Sequence, residues 1–183
     1  NGSGGSVLLD NLTGDLTYDA VEFSFAFEAS TTEVTFDYVF ASDEYPEFVC
    51  SYNDAFAFFI TGPGYATNTN IAVVPGTTDW VSFDNVNYNG PGCPPYYPEY
   101  YNDNLGGFAV EYDGYTVPLQ ATINTIPCET YQITIAIADA GDSSYDSAVF
   151  LKAESFSGGV DVAAAASGDS GIQSTPASCE EGG

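Results

Sequence analysis

Basic side chains are almost missing from this chain: among 183 residues there is no histidine and no arginine, and Lys152 is the single lysine. Nucleic-acid binding rests on Lys and Arg neutralising phosphates, and anionic membrane surfaces attract the same residues, so neither is an expected partner. Catalysis through a histidine base, or through a serine or cysteine that such a base activates, is excluded on the same ground. Gly168-Asp169-Ser170-Gly171 has the look of a serine-nucleophile site, but nothing basic stands near to activate Ser170, and the segment reads as tail. No long apolar run crosses a membrane, and no Cys-x-x-Cys pair marks a zinc ribbon or a thioredoxin-like centre. Methionine is absent too, and the chain opens at Asn1 with no charged-then-apolar leader, which is the expectation after signal-peptide removal.

What is present is acid, aromatic and alternating. Twenty-six Asp and Glu give a formal charge of −25, a self-repulsion that is tolerable when carboxylates are spread out or neutralised by bound cations. Four widely spaced cysteines, Cys50, Cys93, Cys128 and Cys179, fit disulfides in an oxidising, extracellular compartment. Of the three connectivities open to them, Cys50–Cys93 with Cys128–Cys179 is the preferred one. Asn1-Gly2-Ser3 and Asn11-Leu12-Thr13 match the N-glycosylation acceptor pattern.

Large apolar residues alternate with polar ones along Val21–Phe27 and again along Val34–Phe40, the period of half-buried strands. Further strands are predicted at Asp54–Ile60, Asn70–Val74, Phe108–Tyr112, Thr116–Ile123, Tyr131–Ala138 and Ala148–Ser155, with Asp113-Gly114 as a hairpin turn. No segment holds a helical period for three turns. The expectation is an all-β protein, an antiparallel β-sandwich or jelly roll over residues 15–157. It is flanked by an N-terminal extension over 1–14 and a Gly/Ser/Ala-rich tail over 158–183, both expected to be ordered by docking on the domain or on neighbouring copies.

Two segments carry the chemistry: FASDEYPEFVCSYNDAFAFF at Phe40–Phe59 and IAIADAGDSSYDSAVFL at Ile135–Leu151. Together with NIAVVPGT at Asn70–Thr77 and YDGYTVPLQA at Tyr112–Ala121, in that order, they resemble the choice-of-anchor L domain of secreted bacterial surface proteins, over about Asp15 to Phe156. The resemblance implies an exported domain, joined in different proteins to different anchoring signals, with no enzymatic activity attached. Only about twenty residues precede the strand near Ala20, fewer than members of that family carry, so an open sheet edge is expected. An extended segment of another copy would complete it by strand addition, giving a head-to-tail polymer. Ser6–Leu12, with Val7, Leu8, Leu9 and Leu12, is the candidate donor strand; pairing within its own domain is the alternative.

Calcium follows from the residues themselves, because Ca²⁺ takes six to eight hard oxygen ligands. Asp43, Glu44, Asn53 and Asp54 lie in one oxygen-rich loop and Asp139, Asp142 and Asp146 in another, and the two would form a site if they meet at one end of the sandwich. Solvated loop tips and turn caps are the plainer reading of the same acids. Tyr96, Tyr97, Tyr100, Tyr101 and Trp80 are candidates for a subunit contact or for stacking on sugars. Lys152 reads as half of a surface ion pair, with an intramolecular amide to Asn or Asp as the alternative. The functional expectation is a secreted, non-enzymatic structural protein that assembles with copies of itself into a filament or surface layer, stabilised by calcium and disulfides. A monomeric cell-surface adhesin that binds carbohydrate is the runner-up, and a glycoside hydrolase using a carboxylate pair the remote alternative.

Overall fold

A computed structural model describes residues 4–88, 93–140 and 145–165, with the side chains of 159–165 left aside. Among the described residues ten strands and one short α-helix follow in the order α1 (Val7–Thr13), β1 (Thr17–Ala29), β2 (Glu33–Ser42), β3 (Ala55–Thr61), β4 (Thr69–Asn70), β5 (Tyr101–Asp103), β6 (Gly114–Thr116), β7 (Leu119–Asn124), β8 (Thr130–Ala140), β9 (Ser147–Leu151) and β10 (Gly159–Ala165), with a single 3-10 turn at Pro98–Tyr100 before β5. They form two antiparallel sheets, the all-β sandwich that the alternation implies. The first sheet runs β10-β1-β8-β3-β4. In the second, β2 is central: β7 pairs with its first half and β6 with its end along one edge, while β9 pairs with Tyr38–Ser42 along the other.

The core lies where the alternating residues of the two sheets meet. Phe36, Tyr38 and Phe40 of β2 project onto Phe56 and Phe58 of β3 with ring centroids 4.8–5.7 Å apart, so β2 lies over β3. Such edge-to-face and offset pairs are worth about 0.5–1.5 kcal/mol each beyond the area they bury. Phe156, in the crossing from β9 to β10, closes the lower end against Phe25, Phe27 and Phe36.

Several expectations are corrected. Thr116–Ile123 is two strands, because Val117-Pro118 interrupts the ladder and proline has no N–H to offer it. Of Asn70–Val74 only Asn70 belongs to a strand. Phe108–Tyr112 is a loop rather than a strand, gathered around the buried Asn104. Asp113-Gly114 is consequently no hairpin turn: Gly114 opens β6 and pairs with Asp103, and glycine is needed there because a Cβ would stand 2.7 Å from the rings of Tyr45 and Tyr101.

The candidate donor strand is the largest departure. Ser6–Leu12 is not extended: Ser6 caps α1, its hydroxyl accepting from the Leu9 N–H, and Gly14 ends it in the left-handed conformation with φ 82°. The helix forms because the outer face of the first sheet is built from Ala55, Ala57, Ala136 and Ala138, small enough to admit Leu9 completely. Asp10 then ties the helix to β1 by accepting from the Thr17 N–H and hydroxyl at 2.7 Å each. Leu8, Leu9 and Leu12 therefore pack on their own domain, while Val7 faces water. In the tail, Gly159–Ala165 adds β10 to the edge of β1, and residues 166–183 lie outside the described part of the chain.

Candidate functional site

The two acidic loops do meet at one end of the sandwich. Ala55 of β3 pairs with Ala138 of β8, which brings Asp54 beside Asp139, and Ser42 of β2 pairs with Ser147 of β9. The Ser147 hydroxyl donates to Asp54 Oδ2 at 2.8 Å and the Ala140 N–H to Asp54 Oδ1 at 3.3 Å, so one carboxylate joins the ends of both sheets. Glu44, Asp54 and Asp139 are all buried, and each has interaction partners. Asn53 differs: its Oδ1 is buried with no hydrogen-bond partner, an arrangement that costs about 1–3 kcal/mol unless a donor or cation meets it. Asp142 lies outside the described residues. Among the described residues, no three His, Cys, Asp or Glu side chains are grouped closely enough to hold one ion by themselves.

Asp43 is not part of this group. Its backbone N–H donates to the Asp146 carbonyl at 3.1 Å, and its half-buried carboxylate faces the opposite way, toward Asp113, Asp146 and Glu111. Burial first, and then the repulsion of those three acids, holds its pKa above the usual carboxylate value, against a hydrogen bond from the Asp113 N–H that lowers it. Asp113 is raised likewise, by burial and then by Glu47 and Asp103. A second acidic patch thus gathers where β2, β5 and β6 meet. Nothing local announced it, because Asp103, Glu111 and Asp113 are brought together by strand pairing across ten residues of loop.

Two more carboxylates belong near Asn53. Asp15 and Asp84 line the same open pocket of about 400 Å³ as Tyr52 and Asn53. Burial raises the pKa of Asp84, offset in part by a short hydrogen bond from the Cys50 N–H. Both are far from Asn53 in sequence, so only the fold could reveal them.

The Cys50–Cys93 bridge is present, its Cα atoms 6.1 Å apart. Cys128 is disulfide-bonded as well, and its expected partner Cys179 lies outside the described residues. The bridge holds a compact corner. Tyr45, wholly buried, donates its hydroxyl to the Val86 carbonyl at 2.6 Å and packs its ring, tilted by 46°, against Tyr101 with centroids 4.8 Å apart. Burial, then Tyr101 and Asp84, pushes the Tyr45 hydroxyl well above its usual pKa, and burial pushes Tyr101 up to about 12.

The aromatic loop offers little to a sugar. Tyr97, Tyr100 and Tyr101 pack against the core, the Tyr97 hydroxyl donates to Asp79 at 2.6 Å, and Trp80 is half-buried beside the helix cluster. Of the five candidates Tyr96 alone is exposed, and one ring is not a stacking platform. Lys152 pairs with Asp37 at 2.8 Å, the ion pair holding the Asp37 carboxyl below its usual pKa together with a hydrogen bond from Gln120.

The second sheet leaves one place unfilled. With β2 over β3, β9 covers β8, and among the described residues β9 has no strand on its other side. The inward-facing side chains beyond it are open to water: Val21 is 63% exposed, Phe23 37% and Leu151 50%.

Comparison with protein families matches residues 2–157 to the choice-of-anchor L domain. No curated protein and no solved structure gives a significant match. No helix among the described residues is long and apolar enough to cross a membrane.

Proposed function

The chain belongs to the choice-of-anchor L domain family, a family of surface-anchor domains rather than enzymes, and from that premise we propose that it is an extracellular structural subunit that assembles with copies of itself. The observation that carries this reading is the unfilled place beside β9. Inner-face Val21, Phe23 and Leu151 are what a sandwich exposes when it lacks a strand, and a free edge strand is a template for pairing with another chain. Since α1 is committed to its own sheet, the added strand comes from elsewhere than Ser6–Leu12.

Calcium is the second part of the proposal. Supporting it are the burial of Glu44, Asp54 and Asp139 at one end, the unpartnered Oδ1 of Asn53 beside Asp15 and Asp84, and a chain whose single lysine is engaged with Asp37. The donor set is all oxygen, which suits Ca²⁺ and not zinc or copper. Bound cations also lower the repulsion between copies that each carry a charge of −25. An affinity of about 10⁻⁴ to 10⁻³ M is what extracellular structural sites show.

Sedimentation velocity and negative-stain electron microscopy, with millimolar Ca²⁺ and after chelation, test both parts. Oligomers or fibres that form in Ca²⁺ and loosen on chelation are expected. A strictly monomeric protein at high concentration in either condition refutes assembly. Calcium is tested separately by thermal unfolding: Ca²⁺ at a hundred times its Kd adds about 2.7 kcal/mol, which raises the Tm of a chain this long by roughly 5–10 °C. An unchanged Tm removes calcium and leaves assembly standing.

A further inference from the structure

The outer faces of the two sheets are unlike. Helix α1 covers the alanine-rich face of the first, whereas among the described residues no helix or strand covers the second, where Val39, Val110, Tyr115, Pro118 and Phe150 line an apolar groove of about 260 Å³. Phe150 is 44% exposed in it, and at its lip Phe108 is 94% exposed.

This lip is built, not loose. The buried Asn104 donates from Nδ2 to the Val110 and Tyr112 carbonyls, at 2.9 and 2.6 Å, and accepts at Oδ1 from the Phe108 and Ala109 N–H groups, at 3.1 and 3.2 Å. One amide thus folds the whole 104–112 loop, with the Gly107 N–H donating to the Asn104 carbonyl at 2.7 Å. A loop fixed in this way presents an aromatic ring to water without the ordering cost that a partner would otherwise meet on binding. Exposed apolar surface bounded by charge marks an interaction site.

Charge bounds the groove at one end. Tyr112 touches Phe150 edge to face, with centroids 6.1 Å apart, and its hydroxyl is raised by burial and then by Asp43, Asp146 and Glu111, which surround it. All three are acids, and Glu111 follows the groove residue Val110 directly.

We propose that this groove binds a segment of a cationic polypeptide, with one apolar side chain entering between Val39, Val110 and Phe150 and a neighbouring lysine or arginine meeting Asp43, Glu111 and Asp146. A second copy of this chain does not fit the description. It carries 26 acids, and its one lysine is already 2.8 Å from Asp37. Two copies face to face here would bring like charges together, whereas a basic partner gains from the same field. The groove shares β9 with the proposed assembly edge through Phe150 but lies on the outer face of the sheet. Strand addition would instead use the β9 backbone and cover the inner-face Val21, Phe23 and Leu151, so the peptide's apolar preference is read separately from self-assembly.

The test is an NMR titration of the ¹⁵N-labelled protein with a pentapeptide of one phenylalanine between two lysine pairs, and with the same peptide carrying serine in place of phenylalanine. Amide shifts at Val39, Val110, Tyr115 and Phe150 are expected, with the phenylalanine peptide binding at least tenfold tighter and weakening as salt rises. Phe150→Ser, and independently Val110→Ser in the loop that Asn104 holds, should reduce that preference to about twofold or less. Equal affinity for the two peptides would mean bulk charge attraction only and would overturn the proposal. So would shifts on another face, a preference that survives both substitutions, or self-association through these same amides that strengthens with salt.

Discussion

Replacing both Cys50 and Cys93 by serine should destabilise the protein by about 4 kcal/mol, a figure that follows from where the bridge sits in the chain. The two residues are 43 apart in sequence. In the chain-entropy treatment, a closed loop of that size removes about 13 cal/mol/K from the unfolded ensemble, or about 4 kcal/mol at 25 °C. The folded corner does not depend on the bridge for its shape. Tyr45 still donates to Val86, Asn87 still pairs with Tyr96, and Val49, Phe83 and Val86 remain buried. The cost therefore falls on the unfolded side, and two signatures follow in a urea titration followed by tyrosine fluorescence. The midpoint falls by about 2 M, taking a slope of about 2 kcal/mol/M for a domain of this length. The slope itself rises, because the unbridged chain exposes more surface when it unfolds. The double variant is the right perturbation, because a reductant would also open the bridge at Cys128. A midpoint shift below about 0.5 M, with the slope unchanged, would mean that the unfolded chain keeps these ends together without the bridge, and the reasoning from loop entropy would be wrong.

Leu9→Ala should cost about 3 kcal/mol, in the range of buried Leu→Ala changes. Leu9 is the one wholly buried side chain of α1, so the loss should appear as lowered amide-exchange protection in α1 and in the alanine face beneath it; if Leu9→Ala unfolds at the parent's midpoint, α1 is not docked as described. Alkali should act through tyrosine. Tyr38, Tyr45 and Tyr101 are all raised, burial being the largest cause for each. The unfolded chain then releases these protons first, near the ordinary pKa of about 10, so the stabilisation is intact below pH 10 and lost as pH rises toward about 12 for Tyr101. An absorbance titration at 295 nm should show a late, cooperative phase that coincides with loss of β-sheet circular dichroism, and a single smooth phase would contradict the burial of these hydroxyls.

How far the residues alone reach is clearest at the acidic end. Asp43, Glu44, Asn53, Asp54, Asp139 and Asp146 are recognisable as oxygen donors in two loops, but that the loops meet was only a condition until the pairing of β3 with β8 and of β2 with β9 supplied it. Which donors share a space does not follow. Asp43 and Glu44 lie in the turn that follows β2, where Glu44 is buried and Asp43 turns to Asp113. Asp15 and Asp84 join Asn53 from segments with no local signal. The same limit governs the aromatic loop, where tyrosines that look available for a ligand are held by Tyr45, Asp79 and the core.

Composition and period, which need no knowledge of distant contacts, determined the all-β class, the main strands and the use of cysteine in disulfides. Period-two patterning survives any arrangement of the sheets, because each strand must bury one face whatever it packs against. Tertiary structure decided the rest. Ser6–Leu12 has enough apolar residues for a strand or a helix, and the alanines of β3 and β8, more than forty residues away, make it a helix by leaving room for Leu9. Phe108 alternates well enough with its neighbours to pass for strand, yet Asn104 gathers the backbone of that stretch into a loop and leaves the ring in water. In both places the local pattern was compatible with two states, and the difference between them lies in what the segment packs against, a quantity that exists only once the sheets are assembled.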